Sequence, residues 1–305
     1  MNLQKDITEN YSTVSSKDIE ILKCGKKTDG LLKILDACKQ SIDEFTKKGA
    51  DIIVPSRNYD YVLHTAEKVS QEVTKEDIES SFFYLEDFSK EKKFPMAGFF
   101  FSALINEHAK RSKTTEHYHL FLEHLSETLD GLGCENNAHI RVQGNIGYWA
   151  CSNMNGGTFF LDGNANDNFG EQMQGGLAIV KGNTKENCGR EMQNGKIIVD
   201  GTVGEKLGSG MKNGRIFCHG AGKNAGDYMH GGSIRIQGDL TYPYAGSMHN
   251  GEIRVYNKNI TKKELRRNLD PQYINGNIFL NDQKVMNGIL YLLYRGTCFD
   301  RFFAY

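Results

Sequence analysis

Six methionines recur at a nearly fixed interval in the second half of this sequence. They stand at Met154, Met173, Met192, Met211, Met229 and Met248, in steps of 19, 19, 19, 18 and 19 residues. Three residues after each stands a glycine: Gly157, Gly176, Gly195, Gly214, Gly232 and Gly251. A third series, Gly144, Gly163, Gly182, Gly201, Gly220 and Gly238, keeps nearly the same period. Three registers sharing one period mark a repeat architecture, in which each unit buries its apolar face only against its neighbours. Collagen is excluded, because 33 glycines accompany only 4 prolines and do not fall at every third position.

Between the markers the pattern is that of strands. Phe159, Ala178, Ile197, Ile216, Ile234 and Ile253 lie five residues after the methionines. Leu161, Val180, Val199, Cys218, Ile236 and Val255 lie seven after. A two-residue offset puts both rows on one face, here the inner one. Each strand follows a dipeptide that tolerates positive φ, such as Gly175-Gly176, Asn194-Gly195 or Asn250-Gly251. Such pairs normally announce hairpins, but nearly identical strands one full repeat apart stack in parallel. The expected fold is mainly β. It is a right-handed parallel β-helix of about six coils over Ile140–Val255, each with a contour of about 60 Å, stacked to about 30 Å. Flexible methionine thioethers suit its interior, and Asn145, Asn164 and Asn183 are placed for an amide ladder.

The stretch G-N-A-N-D-N-F-G-E-Q-M-Q-G-G-L-A-I-V-K-G, Gly163–Gly182, resembles the repeat of the glycine-motif β-helix domain. That domain ends the large subunit of glutamate synthase. It also forms much of one chain of formylmethanofuran dehydrogenase and of related formyltransferase/hydrolase complexes. The family's G-x-x-G is present as Gly144/Gly147 and Gly201/Gly204, and is replaced at Asn166 and Lys185. The resemblance implies a fold. It also implies a supporting role beside catalytic parts that lie elsewhere.

The flanks follow another pattern. Leu31, Ile34, Leu35, Cys38, Ile42 and Phe45 recur at helical spacing, as do Ile78, Phe82 and Leu85, and Phe99–Ile105 is an apolar run. Leu120, Phe121, Leu125, Leu129 and Leu132 predict a further amphipathic helix ending near Gly131–Gly133. The division expected is a mostly helical domain over 1–135, the β-helix over 136–258, and a C-terminal cap and tail over 259–305. In that last part Lys262–Asn268 reads as a helix and Ile274–Val285 as short strands, followed by an aromatic tail through Phe299, Phe302 and Phe303. A solenoid has two open ends, and both flanks are placed to cover them.

Chemistry-bearing motifs are sparse. Glu116–His124 is rich in metal-capable groups, with His119 and Glu123 four apart, but lacks the H-E-x-x-H order. His230 and His249 should stack on adjacent coils beside a turn. No phosphate-loop or nucleophile-elbow pattern occurs. No cofactor, no metal and no catalytic residue is assigned. A formal net charge of -1 argues against a nucleic-acid partner, and no apolar run is long enough to span a membrane. The polar opening MNLQKDITEN and seven cysteines without a C-x-x-C pair predict a cytoplasmic chain. The most informative row lies six residues after each methionine. Phe160, Ile179, Ile198 and Phe217 form an outward apolar stripe, expected to bind a protein partner or the chain's own N-terminal domain. The expected function is a non-catalytic scaffold or interaction subunit. The alternative is a subunit of a glutamate synthase-like or formylmethanofuran dehydrogenase-like complex. An enzyme with its site between the N-terminal domain and the β-helix is the third reading.

Overall fold

The glycine and methionine period folds as a β-solenoid of about seven turns. The computed structural model describes residues 27–47, 55–90, 94–112, 115–241, 244–270 and 275–287. One long side of the solenoid is a sheet. Its strands are β1 (His117–Phe121), β2 (His139–Gln143), β3 (Thr158–Asp162), β4 (Leu177–Val180), β5 (Lys196–Val199), β7 (Arg215–Cys218), β9 (Ser233–Ile236), β10 (Glu252–Val255) and β11 (Asn277–Leu280), each parallel to the next. The two-residue strands β6 (Thr202–Val203) and β8 (Gly220–Ala221) belong to a second side. Single parallel bridges extend that side through Ile146, Ala165, Thr184 and Val203.

Strand register keeps like on like. Phe159, Ala178, Ile197 and Ile216 pair in one row, as do Leu161, Val180 and Val199 in another. Both rows are buried, and the six methionines are fully buried. The methionine and glycine series share a period because they touch. A Cβ added to Gly176 would stand 2.8 Å from the Cε of Met154, and one on Gly251 would stand 2.7 Å from the Cε of Met229. Gly176, Gly214, Gly232 and Gly251 thus leave room for the thioether of the preceding coil, whereas Gly195 lies closest to the backbone of Gly175 and Gly176. Gly195 has φ 91°, Gly214 94° and Gly251 96°.

The third side of each coil is a corner in which alternate residues have positive φ. Examples are Asn168, Gly170 and Gln172, then Asn187, Gly189 and Glu191, then Lys206, Gly208 and Gly210. Their N–H groups point alternately to the coils on either side: Asn168 donates to the Glu186 carbonyl (2.9 Å), Gly170 to the Ala150 carbonyl (2.8 Å). Regular pairing between coils therefore continues around a bend that ordinary strand geometry would not make. Between these residues Ala150, Phe169, Cys188, Leu207 and Ala225 point inward and are fully buried.

The N-terminal region contains α1 (Asp29–Lys47), α2 (Pro55–Val69), α3 (Lys75–Ser81) and α4 (Ala97–Arg111). The helix expected over Leu120–Leu132 is not formed. His117–Phe121 is instead the first strand of the sheet, pairing with His139–Gln143. Tyr118 and Leu120 take the inward positions in register with Ile140 and Val142, and Gly131, Gly133 and Glu135 form the first positive-φ corner. Pairing with β2 satisfies this backbone, and the helical spacing of the leucines is coincidental.

Side chains of the helical region stand where a preceding coil would be. Glu79 accepts the His119 N–H (2.7 Å), and Glu86 accepts the Ser126 N–H (2.9 Å) and hydroxyl (2.9 Å). Ser102 accepts the Gly133 N–H (2.8 Å) and its hydroxyl lies 2.9 Å from the Gly131 carbonyl. Asn106 accepts the Asn137 N–H (3.1 Å), and its amide reaches the Glu135 carbonyl (3.3 Å). An open parallel end is thereby covered by polar side chains. At the other end α5 (Lys262–Arg267) precedes β11, and β12 (Gln283–Asn287) folds back antiparallel on it. Asn281 and Asp282, with φ 48° and 63°, form the two-residue turn that such a hairpin requires. The aromatic tail lies outside the described residues.

Candidate interaction surface

Between the two inward rows the strands carry one outward row: Arg141, Phe160, Ile179, Ile198, Phe217, Arg235, Arg254 and Phe279, in continuous register. Phe160, Ile179 and Ile198 form a hydrophobic cluster separate from the core, with Phe217 and Leu177 against it. The stripe expected to be exposed is in fact covered: these three residues are 3%, 3% and 6% exposed, and Phe217 is half-buried. Stacking at one-rung spacing contributes to this closure. So do flanking cations, with the Arg141 guanidinium 4.9 Å from the Phe160 ring centre and the Lys196 ammonium 5.2 Å from that of Phe217.

Toward the C-terminal end the row becomes cationic and aromatic. Arg235 lies 4.2 Å over the Tyr256 ring and Arg254 4.0 Å over that of Phe279. Arg254 also bonds Glu252 (2.8 Å). In the next row the Lys181 ammonium lies 3.6 Å and His219 Nδ1 3.7 Å from the Asp200 carboxylate. Beside it the expected amide ladder forms: Asn145 Oδ1 accepts the Asn164 N–H (2.9 Å), Asn164 Oδ1 the Asn183 N–H (2.8 Å), and Asn183 Oδ1 the Thr202 N–H (2.8 Å).

The histidines divide among separate tasks. His230 and His249 stack with ring centres 4.8 Å apart on the exposed corner. His117 and His139 stack at 4.9 Å, and His139 Nδ1 lies 2.6 Å from the Thr158 hydroxyl. His124 Nε2 lies 3.0 Å from the Phe82 carbonyl, and its ring stacks on Phe83. Thus Glu116–His124, read as a helix face, spreads its groups along a strand and the loop after it. Burial lowers the pKa of His119, with Lys75 and Arg141 adding to the effect. Burial pushes the neighbouring Glu79 carboxyl up to about 7, against the opposing effects of the His119 N–H and Lys75.

Two open clefts flank the first coil. One, of about 490 Å³, is lined by residues that include Lys75, His108, Arg111 and Glu116. There His108 Nδ1 lies 2.8 Å from the hydroxyl of the fully buried Tyr118. The other, of about 370 Å³, is lined by Glu123, Glu127 and Asp162 among others. The five described cysteines are unpaired and buried, and burial pushes the Cys38 and Cys188 thiols up to about 12. Thiols held so are inert. No helix among the described residues is long and apolar enough to cross a membrane.

Sequence reasoning missed the corner. Its signal was present as a third glycine series, Gly170, Gly189, Gly208 and Gly226, with the period of the methionines and the other two glycine series. No curated protein matches the chain. A family model described as the GXGXG motif matches residues 123–287, from the residues just after β1 to the last residue of β12. That family occurs in glutamate synthase-like proteins. Because the match spans more than half of the sequence, this chain belongs to the GXGXG motif family.

Proposed function

We propose that the chain is a non-catalytic scaffold subunit that presents the outer face of its sheet to a protein partner within a larger assembly. One observation carries this reading: a continuous stack of nine parallel strands, filled inside by its own repeats, is closed at both ends by segments of the same chain. The long faces are then the rigid, ordered surface on offer. The partner face centres on half-buried Phe217, where the apolar cluster of Phe160, Ile179 and Ile198 gives way to Arg235 and Arg254. Mixed apolar, arginine and aromatic composition suits a protein interface. A cytoplasmic setting belongs to the same proposal and is supported by the unpaired buried thiols.

Family membership favours a more specific version, in which the assembly is glutamate synthase-like or formylmethanofuran dehydrogenase-like and catalysis lies on other chains. The test is purification of the full chain at native expression, with cross-linking and mass spectrometry. Cross-links from Lys181 or Lys196 to one stoichiometric protein, lost in Phe217→Glu at unchanged melting temperature, support the proposal. A monomer without such cross-links, or a partner indifferent to Phe217, overturns it.

A further inference from the structure

The seat of the helical region on the solenoid contains a buried ionisable group, and Glu79 is its centre. The residue lies on α3, only 6% exposed, and its Oε1 accepts the N–H of His119 on the edge strand β1 at 2.7 Å. Beyond β1 the sheet has no further strand among the described residues, so this bond replaces a missing rung. The nearest countercharge is Lys75, one turn earlier on the same helix, with its ammonium 3.6 Å from Oε1. Glu76 faces the carboxyl from α3, and His119 and Tyr118 face it from β1. His119 in turn faces His117 on its own strand and Arg141 on β2. The buried Nδ1 of His119 has no hydrogen-bond partner among the described residues.

We propose that Glu79 makes the joint between the helical cap and the first coil a pH-sensitive closure, tight when its carboxyl is neutral and loosened when it ionises. A neutral carboxyl still accepts the His119 N–H through its carbonyl oxygen, so protonation keeps the rung. Ionisation places a charge at a nearly closed interface, with one ammonium at its margin and Glu76 opposing it. A carboxyl whose folded pKa is raised stabilises the joint below its ordinary value of 4.5, and that contribution is lost as pH rises through about 7. The acceptors Glu86, Ser102 and Asn106 do not share this change, so the joint opens locally at β1 and the chain does not unfold as a whole.

Hydrogen exchange on the full chain, corrected for intrinsic rates, tests this from pH 5.5 to 8.5. Protection of the β1 amides should fall at least about tenfold, while β4 and β5 change less than about threefold. Glu79→Gln keeps an acceptor oxygen and should abolish the fall. A wild-type chain with constant β1 protection, or an equal fall in Glu79→Gln, overturns the proposal. Should the variant fail to fold, the wild-type Glu79 carboxyl-carbon shift decides. A titration midpoint above about pH 6 supports the closure, and one near the ordinary carboxylate value overturns it.

Discussion

Gly208 and Ile234 fit together across successive coils: Gly208 has φ 61°, and a Cβ added to it would stand 2.6 Å from the Cδ1 of Ile234. The same fit recurs between Gly170 and Ile197 and between Gly226 and Ile253, each at 2.6 Å. Two corners depart from glycine, at Cys151 and Ala245. Cys151 holds the corner position that Gly170 holds one coil later, and Ala178 holds the strand position of Ile197. At Cys151 the larger corner residue is thus matched by a smaller strand residue, which keeps the local volume filled.

This pairing predicts a coupled pair of variants. Gly208→Ala should cost at least about 2 kcal/mol through positive φ and overlap with Ile234. Ile234→Ala alone should cost about 2–5 kcal/mol. Denaturant melts of both and of the double variant should give a favourable coupling of about 1 kcal/mol or more. Strict additivity would show that the corner and strand do not meet.

The turn glycines predict a second difference. Gly195→Val puts a β-branched residue at φ 91°, with its Cβ 2.9 Å from the Gly175 carbonyl carbon. It should destabilise by at least about 1 kcal/mol. Lys196→Ala, which loses only a partly exposed cation near Phe217, should cost below about 1 kcal/mol. Equal melting temperatures would contradict the account of the turn.

A third prediction concerns pH. Asp130 is 3% exposed, and burial pushes its carboxyl up to about 6 although it accepts the Tyr148 N–H at 2.8 Å. Its stabilising effect is present below the ordinary value of 3.8 and is lost as pH rises through about 6. Asp130→Asn keeps the acceptor without the charge. It should raise stability by up to about 3 kcal/mol at pH 8 and change it little near pH 4, read from melting curves at both values. A loss at pH 8 would show that the ionised group is favourable where it sits.

The two faces of β5 give a fourth. Ile197→Ala should cost about 2–5 kcal/mol by leaving a cavity in the filled interior. Ile198→Ser removes a side chain from the separate outer cluster, 6% exposed, and should cost less, about 1–3 kcal/mol. The reverse order in chemical denaturation would contradict the assignment of faces.

The stacked strands were legible in sequence because one period governs methionine, glycine and apolar positions together. The ends were not, because they break it. His117–Phe121 lies 22 residues before the next strand, lacks a preceding methionine, and mixes three polar-capable rings or edges with Leu120 and Phe121. Leu120 also imitates a helix face with Leu125, Leu129 and Leu132. The closure of Phe160, Ile179 and Ile198 was equally hidden, since alternation tells which way a side chain points but not what then covers it. Glu79 carries no motif at all: its burial depends on α3 being set against β1, a relation between residues 40 apart.

The helical region closes a solenoid that would otherwise end in an open edge. Sedimentation velocity of residues 115–305 beside the full chain isolates this closure, because the truncation keeps β1 and the first corner while removing Glu79, Glu86, Ser102 and Asn106. The truncated chain should form dimers or larger aggregates under conditions where the full chain is stable, with strand circular dichroism retained. A monomeric truncation with the same circular dichroism and an unchanged melting temperature would contradict it.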